Sequence, residues 1–191
     1  MGSGLEKIIL VDVNDNEVGV DEKLRIHYEG TLHRAFSVFV FNSRGQFLLQ
    51  QRAAGKYHSA GLWSNTCCGH PRPAESVAAA ARRRLNEEMG FDCDLVEVFS
   101  FVYRVPVSND MIEHEFDHVL IGRFDGVPHP DPEEASSWQW IHPGDLAKNM
   151  RENPEQYTYW LRLSFENVLN CLPQDGRDHL NGGMRGEVTR K

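Results

Sequence analysis

The 191-residue chain lacks any apolar run near the roughly 18 residues that a membrane-spanning helix needs. Positive charge is also scarce, because 20 Lys and Arg stand against 28 Asp and Glu, which gives a formal net charge of -8. This balance argues against broad nucleic-acid binding, which depends on a basic face. A phosphorylated ligand remains compatible with it, provided that local cations or metal ions hold the phosphates.

Cysteine is sparse as well. The four cysteines, Cys67, Cys68, Cys93 and Cys171, contain no C-x-x-C pair and form no disulfide-rich pattern. The first residues, MGSG, show no basic stretch followed by an apolar one, so they indicate no secretion signal. We therefore expect a cytoplasmic protein with reduced thiols. Except for Cys68, the cysteines are expected to be small buried hydrophobic residues.

The chain has no internal repeat, and its hydrophobic pattern predicts a single α/β domain over 1–172 with its core over 23–170. A mobile polar tail is expected over 173–191. Strands are predicted over 7–13, 34–42, 46–52, 95–107, 112–124 and 137–141, and "NDNEVG" is predicted as a turn. Helices are predicted over 75–90, ended by Gly90, and over 154–170, opening on Pro154.

Charges crowd the last two turns of the helix predicted over 75–90. Arg83 and Glu87 form an i,i+4 pair, as do Arg84 and Glu88. Such pairs commonly decorate a solvated helix face. Paired carboxylates beside a loop rich in donors can instead hold a divalent cation for a phosphate. The helix alone leaves both readings open.

Three histidines and two glutamates are further candidates for a metal site. Each of His27, His33 and His70 taken singly is more often an ordinary core or surface residue. Glu113 and Glu115 alternate along a predicted strand, so they share one face about 6.6–6.8 Å apart. Apolar residues of the same strand lie on that face, and inward-pointing carboxylates are costly without a cation. Such a ligand set suits manganese, zinc, iron or magnesium, and the sequence does not choose among them.

The segment from Gly69 to Phe91 resembles the Nudix signature, G-x5-E-x7-R-E-U-x-E-E-x-G-U, at every specified position but one. Arg84 stands where the first of the paired glutamates should be. The resemblance implies an α/β/α sandwich around a mixed β-sheet, with helix glutamates that bind magnesium on a diphosphate. An arginine weakens the metal site of a hydrolase, but its guanidinium can bind a diphosphate bidentately. This departure favours holding a diphosphate over splitting it.

Four further segments narrow the resemblance: "LHRAFSVFVFN", "GLWSNTCCGHP", "RRRLNEEMG" and "EHEFDHV". They are similar to the motifs of type I isopentenyl diphosphate isomerases over about residues 23–125, and that family shares the arginine at 84. The resemblance implies isomerisation of isopentenyl diphosphate to dimethylallyl diphosphate through a carbocation-like intermediate. A proton is added at C4 and another is removed at C2, so two acid/base groups must work away from bulk water.

The resemblance also implies a role for individual residues. Cys68 and Glu115 are the implied catalytic pair, and the sequence leaves open which protonates and which deprotonates. The implied ligands of one Mn²⁺, Mg²⁺ or Zn²⁺ ion are His27, His33, His70, Glu113 and Glu115, and Glu88 is the implied ligand of a diphosphate-bound Mg²⁺. The implied substrate contacts are Lys23, Arg52, Lys56 and Arg84 for the diphosphate, with the rings of Tyr103 and Trp160 for the cation. Both rings have a core role as their alternative, and no flavin is expected.

Two other functions stay open on the sequence alone. A Nudix diphosphohydrolase acting on a nucleotide diphosphate would explain the helix signature but would leave Cys68 without a role. A non-catalytic diphosphate-binding module would need neither Cys68 nor Glu115. For the isomerase, the expected partners are isopentenyl and dimethylallyl diphosphate, with no nucleic acid and no membrane. A monomer is expected, with a dimer as the alternative.

Overall fold

The computed structural model of the protein describes residues 6–172. The strands are β1 Lys7–Val11, β2 Glu17–Glu22, β3 His33–Phe41, β4 Phe47–Arg52, β5 Trp63–Ser64, β6 Cys67–Gly69, β7 Leu95–Pro106, β8 Ile112–Arg123 and β9 Ala135–Ile141. The α-helices are α1 Lys23–Glu29, α2 Val77–Met89, α3 Pro143–Glu152 and α4 Tyr159–Cys171. No helix within 6–172 has both the length and the apolar character needed to cross a membrane.

Strand β3 is the centre of a mixed sheet. It runs parallel to β8, with His33 opposite Glu115 and Phe41 opposite Arg123. It is antiparallel to β1, β4 and β6. The long β7–β8 hairpin extends the sheet on one side, and β5 and β9 pair with β4. The nearly continuous apolar sequence of β3 is typical of a strand that is covered on both faces.

Helices cover both faces of this sheet. On one face, α2 buries Ala80, Ala81, Leu85 and Met89 in a cluster with side chains of β3, β4 and β8. On the other face, α4 buries Leu161, Phe165 and Val168 against aromatic and aliphatic residues of the same strands. Burial of this apolar surface drives the layers together. The predicted α/β/α sandwich around a mixed sheet is confirmed.

Helix α2 begins and ends close to the predicted positions. The Ser76 hydroxyl accepts a hydrogen bond from the amide of Ala79 at 3.3 Å and caps the N-terminus. Gly90 closes the other end at a φ of 72°, and a Cβ there would overlap the carbonyl oxygen of His129. Glycine is therefore required at position 90 both for its backbone conformation and for the close approach of the chain.

The C-terminal helix begins later than predicted. Pro154 opens only a one-turn 3₁₀ helix, and α4 starts at Tyr159. Between them, Tyr157 bridges to Trp63, and the amide of Thr158 donates to the Trp63 carbonyl at 2.9 Å. These contacts hold the chain extended for two residues, so the prediction of one helix over 154–170 is wrong at its start.

Other boundaries follow the sequence more closely. All six predicted strands are present, each ending within two residues of its predicted limits. The predicted turn at "NDNEVG" is partly wrong, because β2 begins at Glu17. Helices α1 and α3 carry no prediction from the sequence, since each is short and mixes polar with apolar residues. The tail expected over 173–191 lies outside the described residues.

Candidate active site

A pocket opens to solvent beside β6 and β8. Its lining residues are Glu6, Lys23, Arg52, Lys56, Tyr57, His58, Cys68, Gly69, His70, Arg84, Glu88, Tyr103, Glu113, Glu115 and Trp160. Every catalytic and substrate-binding residue predicted from the sequence is in this set. His27 and His33 are fully buried in the wall next to it. The fold therefore brings together side chains that are up to 154 positions apart, from Glu6 to Trp160.

Four buried side chains converge on one point beside the pocket. His27, His33, His70 and Glu113 each offer one ligand atom, and these atoms all lie within 4.8 Å of one another. The Nδ1 atoms of His27 and His33 bond to the carbonyls of Lys23 at 2.7 Å and Thr31 at 2.9 Å. Each ring therefore donates through Nδ1 and keeps the lone pair on Nε2.

The Nε2 atoms of His27 and His33 are buried without a hydrogen-bond partner, as is Oε2 of Glu113. Orphaned polar atoms of this kind are rare in a folded protein unless something binds them. Imidazole rings held through the second nitrogen are typical of metal sites. The donors present here therefore fit a divalent metal ion.

Glu115 lies at the edge of this cluster. Its Oε1 is 3.1 Å from Nε2 of His70 and 3.7 Å from Nε2 of His33. Its Oε2 accepts a hydrogen bond from the Tyr103 hydroxyl at 2.5 Å. Burial and the charge of Glu113 raise the pKa of Glu115, but the imidazoles outweigh them and hold it below its usual value. Burial also lowers the pKa of His70 to about 4, so that ring is neutral at pH 7.

The thiol of Cys68 lies across β3 from Glu115, because β6 and β8 pair with β3 along opposite edges. Its Sγ donates to Oδ1 of Asn65 at 3.0 Å and lies 3.8 Å from Oγ of Ser37. Burial, followed by the charge of nearby carboxylates, raises the pKa of Cys68 to about 12. The thiol is therefore protonated at neutral pH.

The predicted diphosphate-binding cations line the pocket, and acidic side chains hold three of them. Lys23 pairs with Glu6 at 2.9 Å. Lys56 and Arg84 both pair with Glu134, the arginine at 3.0 Å. Although burial opposes its ionisation, these two cations lower the pKa of Glu134 to about 2.

Arg52 differs from the other three cations because, within residues 6–172, it forms no ion pair with a carboxylate. It donates to the carbonyl of His58 at 3.0 Å, and its guanidinium lies 5.5 Å from the ring centre of Trp160. The indole Nε1 of Trp160 donates at 3.1 Å to both Ser64 and Asn65. The ring is thus fixed in position beside a cation.

The two ion pairs of helix α2 have different surroundings. Arg83 and Glu87 pair at 3.2 Å at the surface, as expected for a solvated face. Glu88 is only 3% exposed and accepts from Arg84 at 2.7 Å and from Gln50 at 2.9 Å. The solvated-face reading therefore holds for the first pair, whereas the second faces the pocket.

Two buried residues at or beside the site, His58 and Asp117, carry no prediction from the sequence. Nε2 of His58 lies 2.7 Å from Oε1 of Glu113. Asp117 is fully buried and accepts from Ser37 at 2.8 Å. Asp117 could have been predicted, because it is two residues after Glu115 and therefore lies on the same face of β8. His58 lies in a loop, where no regular period relates its position to the other site residues.

The prediction that the other three cysteines are buried is confirmed for one of them only. Cys67 is buried as expected, but Cys93 is half-buried and Cys171 is exposed, so the expectation for Cys171 is wrong. Cys171 is the last residue of α4, so it lies at the end of the helix and not in the part that packs on the sheet. On the face of β8 opposite Glu113 and Glu115, Nδ1 of His118 lies 2.8 Å from Oε1 of Glu97.

Comparison with known proteins places this geometry in context. Residues 31–161 match the NUDIX domain family. Isopentenyl-diphosphate Delta-isomerase 2 of Aromatoleum aromaticum is 53% identical over 171 residues, which cover 90% of each chain. Isopentenyl-diphosphate Delta-isomerase of Serratia proteamaculans is 57% identical over 155 residues, covering 81% of this chain and 87% of its own.

Solved structures share the fold at low sequence identity. DR0079 of Deinococcus radiodurans matches with a TM-score of 0.71 and 23% identity, covering 88% of this chain and 100% of its own. The MutT protein of Methanosarcina mazei Go1 matches with a TM-score of 0.61 and 18% identity, covering 73% and 94%. At this level of identity the likeness concerns the sandwich fold alone.

Proposed function

The chain belongs to the isopentenyl-diphosphate Delta-isomerases of the NUDIX family, and from that membership we propose that Cys68 and Glu115 are its acid/base pair. The enzyme converts isopentenyl diphosphate to dimethylallyl diphosphate by moving a double bond. The observation that supports this pair is that both side chains line one pocket, from strands on opposite edges of β3. Burial raises the pKa of the Cys68 thiol, and the neighbouring imidazoles lower the pKa of Glu115, which is consistent with one proton donor and one acceptor.

The protons balance in this arrangement. One group of the pair delivers a proton to C4 of the alkene, and the other takes a proton from C2. The two groups together hold one proton before the reaction and one after it, but that proton has moved from one group to the other. Exchange with water returns the pair to its starting state, and in D₂O the same exchange supplies the deuterium that enters the product. The substrate carbon skeleton lies between them, away from bulk water, which keeps the carbocation-like intermediate from being captured.

We propose that His27, His33, His70 and Glu113, with Glu115 at the edge, hold one Mn²⁺, Mg²⁺ or Zn²⁺ ion. Glu88 is proposed to bind a Mg²⁺ ion that arrives with the diphosphate. The bound metal supplies a fixed positive charge beside Glu115 that tunes its proton affinity. The Tyr103 hydroxyl holds the other oxygen of this carboxylate and so directs it toward the pocket. No flavin takes part in the proposed reaction.

The diphosphate is proposed to bind Lys23, Arg52, Lys56 and Arg84. Glu6 and Glu134 keep three of these cations ordered in the absence of a ligand. A diphosphate carries more negative charge and more acceptor oxygens than these carboxylates, and arginine can bind it bidentately. The rings of Trp160 and Tyr103 are proposed to face the developing cation, which a desolvated aromatic ring stabilises by about 2 kcal/mol.

The same reasoning extends to the setting of the enzyme. We propose a cytoplasmic monomer that acts on small-molecule diphosphates without nucleic acid or membrane, in keeping with the net charge of -8. The rival hydrolase function receives no support from Arg84, because this guanidinium lies between Glu88 and Glu134 where a hydrolase needs anionic metal ligands.

The test is proton and phosphorus NMR of isopentenyl diphosphate with the protein, Mg²⁺ and Mn²⁺ in D₂O. We expect dimethylallyl diphosphate with deuterium in a methyl group and no free phosphate. Cys68→Ala and Glu115→Gln should each abolish the isomerisation, since each removes one half of the acid/base pair. Release of phosphate, or full activity of either variant, would contradict the proposed mechanism.

A further inference from the structure

Asn65 is a fully buried side chain to which none of the roles above is assigned. It precedes β6, and its amide lies between the thiol of Cys68 and the indole of Trp160. Its Oδ1 accepts from Sγ of Cys68 at 3.0 Å and from Nε1 of Trp160 at 3.1 Å. One oxygen atom thus accepts hydrogen bonds from both the proposed acid/base thiol and the proposed cation-stabilising ring.

The orientation of the Asn65 amide follows from its partners. On the opposite side, Nδ2 donates to the carbonyls of Cys67 at 2.9 Å and Val38 at 3.2 Å. Backbone carbonyls only accept hydrogen bonds, and an indole N–H only donates. A flipped amide would place Oδ1 against two carbonyl oxygens and Nδ2 against the indole N–H. Oδ1 must therefore face Cys68 and Trp160.

The backbone contacts of Asn65 make it a rigid reference point. Val38 belongs to β3, the centre of the sheet, and Cys67 belongs to β6. The side chain is therefore anchored to two strands. Trp160 belongs to helix α4, 95 positions later in the sequence. Ser64 also accepts from Trp160 and donates to Oδ1 of Asn65 at 3.0 Å. Of these two partners of the ring within the described residues, Asn65 is the one that also accepts from the Cys68 thiol.

We propose that Asn65 is a positioning residue that fixes the Cys68 thiol and the Trp160 ring relative to each other across the pocket. This inference rests on the proposed roles of Cys68 and Trp160. The reacting carbons of the substrate must meet the thiol and the ring face together, and a displacement of about 1 Å can lower the rate of catalysis roughly 100-fold. Asn65 itself is not one of the proposed diphosphate contacts, so we expect it to affect the reaction step more than substrate binding.

The experiment compares Asn65→Ala with the wild-type enzyme by kinetics and by spectroscopy. We expect kcat to fall roughly 10- to 100-fold, with a much smaller change in KM. The Raman S–H band of Cys68, identified by its loss in Cys68→Ala, should move from a hydrogen-bonded to a free frequency. The ¹H–¹⁵N resonance of the Trp160 indole, identified by its loss in Trp160→Phe, should shift as well.

Thr66→Val is the matched control. Thr66 is the neighbouring residue and is equally buried, but its hydroxyl bonds only to backbone, accepting from the amide of Val40 and donating to the carbonyl of Leu48. It should lower stability without moving either spectroscopic signal and without a comparable loss of kcat. An equal loss of kcat in Thr66→Val would mean that Asn65 acts only through general stability and would overturn the proposal.

Two outcomes separate this inference from the proposed function. A free S–H frequency for Cys68 in the wild-type enzyme overturns the role of Asn65 even if the alanine variant fails to fold. An unchanged kcat in a folded Asn65→Ala does the same. Full activity of Cys68→Ala would instead overturn the proposed catalytic pair, whatever the spectra of Asn65→Ala show.

Discussion

At the scale of single residues, unpartnered buried atoms mark the site. Nε2 of His27, Nε2 of His33 and Oε2 of Glu113 are buried and have no hydrogen-bond partner. A buried polar atom left without a partner costs about 1–3 kcal/mol. Their convergence means that a single bound ion can relieve all of these costs at once. The convergence of these unpartnered atoms on one point therefore indicates a binding site for a metal ion.

The Tyr103 hydroxyl donates a short hydrogen bond of 2.5 Å to Glu115, and a phenylalanine at this position removes the bond but keeps the ring. In Tyr103→Phe we expect kcat to fall roughly 10- to 150-fold, since a hydrogen bond to a charged group contributes about 1.5–3 kcal/mol. KM and the melting temperature should change little. Steady-state kinetics measures kcat and KM, and calorimetry measures the melting temperature. An unchanged kcat would show that the hydroxyl does not orient Glu115.

At the scale of elements, helix α2 determines where the pocket-facing charges lie. Its N-terminus is capped by Ser76, and Glu75 just before it accepts two hydrogen bonds from Arg83 at 2.7 and 2.8 Å. Its C-terminus is fixed by Gly90. With both ends fixed, the 3.6-residue period sends Glu88 toward the pocket and Glu87 toward solvent.

Gly90 and Gly144 offer a contrast between two glycines. Gly90→Ala should lower the free energy of unfolding by at least about 2 kcal/mol, because a left-handed alanine costs roughly 1–2 kcal/mol and its Cβ would overlap His129. In helix α3, a Cβ at Gly144 meets open space, and Gly144→Ala should be neutral or raise stability by up to about 1 kcal/mol. Urea unfolding measures the free energy of unfolding of both variants. An equal change in the two would contradict the close approach of the chain at Gly90.

At the scale of the whole molecule, the proposed metal site joins α1, β3, β8 and the loop after β6. A metal that binds only the folded state at 100 times its Kd stabilises the protein by about 2.7 kcal/mol. We therefore expect chelation to lower the melting temperature and added Mn²⁺ to raise it by several degrees. Differential scanning calorimetry with and without EDTA measures the shift.

The matched variants of this experiment lie on the two faces of β8. Glu113→Gln should lose most of the Mn²⁺-dependent rise in melting temperature, because it removes a charged ligand. His118→Gln, whose side chain points to the opposite face and contacts Glu97, should keep it. The same rise in both variants would place the stabilising metal elsewhere in the molecule.

Much of the site could be predicted from the sequence because its motifs are local. The two-residue period of a strand alone puts Glu113 and Glu115 on one face. The signature from Gly69 to Phe91 is contiguous, so its spacing predicts helix α2. By contrast, α1 is a seven-residue helix whose apolar period is too short to detect, although it carries His27.

The sequence by itself thus determined the chemical class of the protein, namely the thiol, the imidazoles, the carboxylates and the helix that presents them. Only the tertiary structure decided which side chains meet. Asn65 reaches Trp160 from 95 positions away, and Glu134 reaches Lys56 from 78 positions away. Such contacts depend on the register of β3 with β6 and β8 and on the packing of α4, which are set by burial of the whole core rather than by any local pattern.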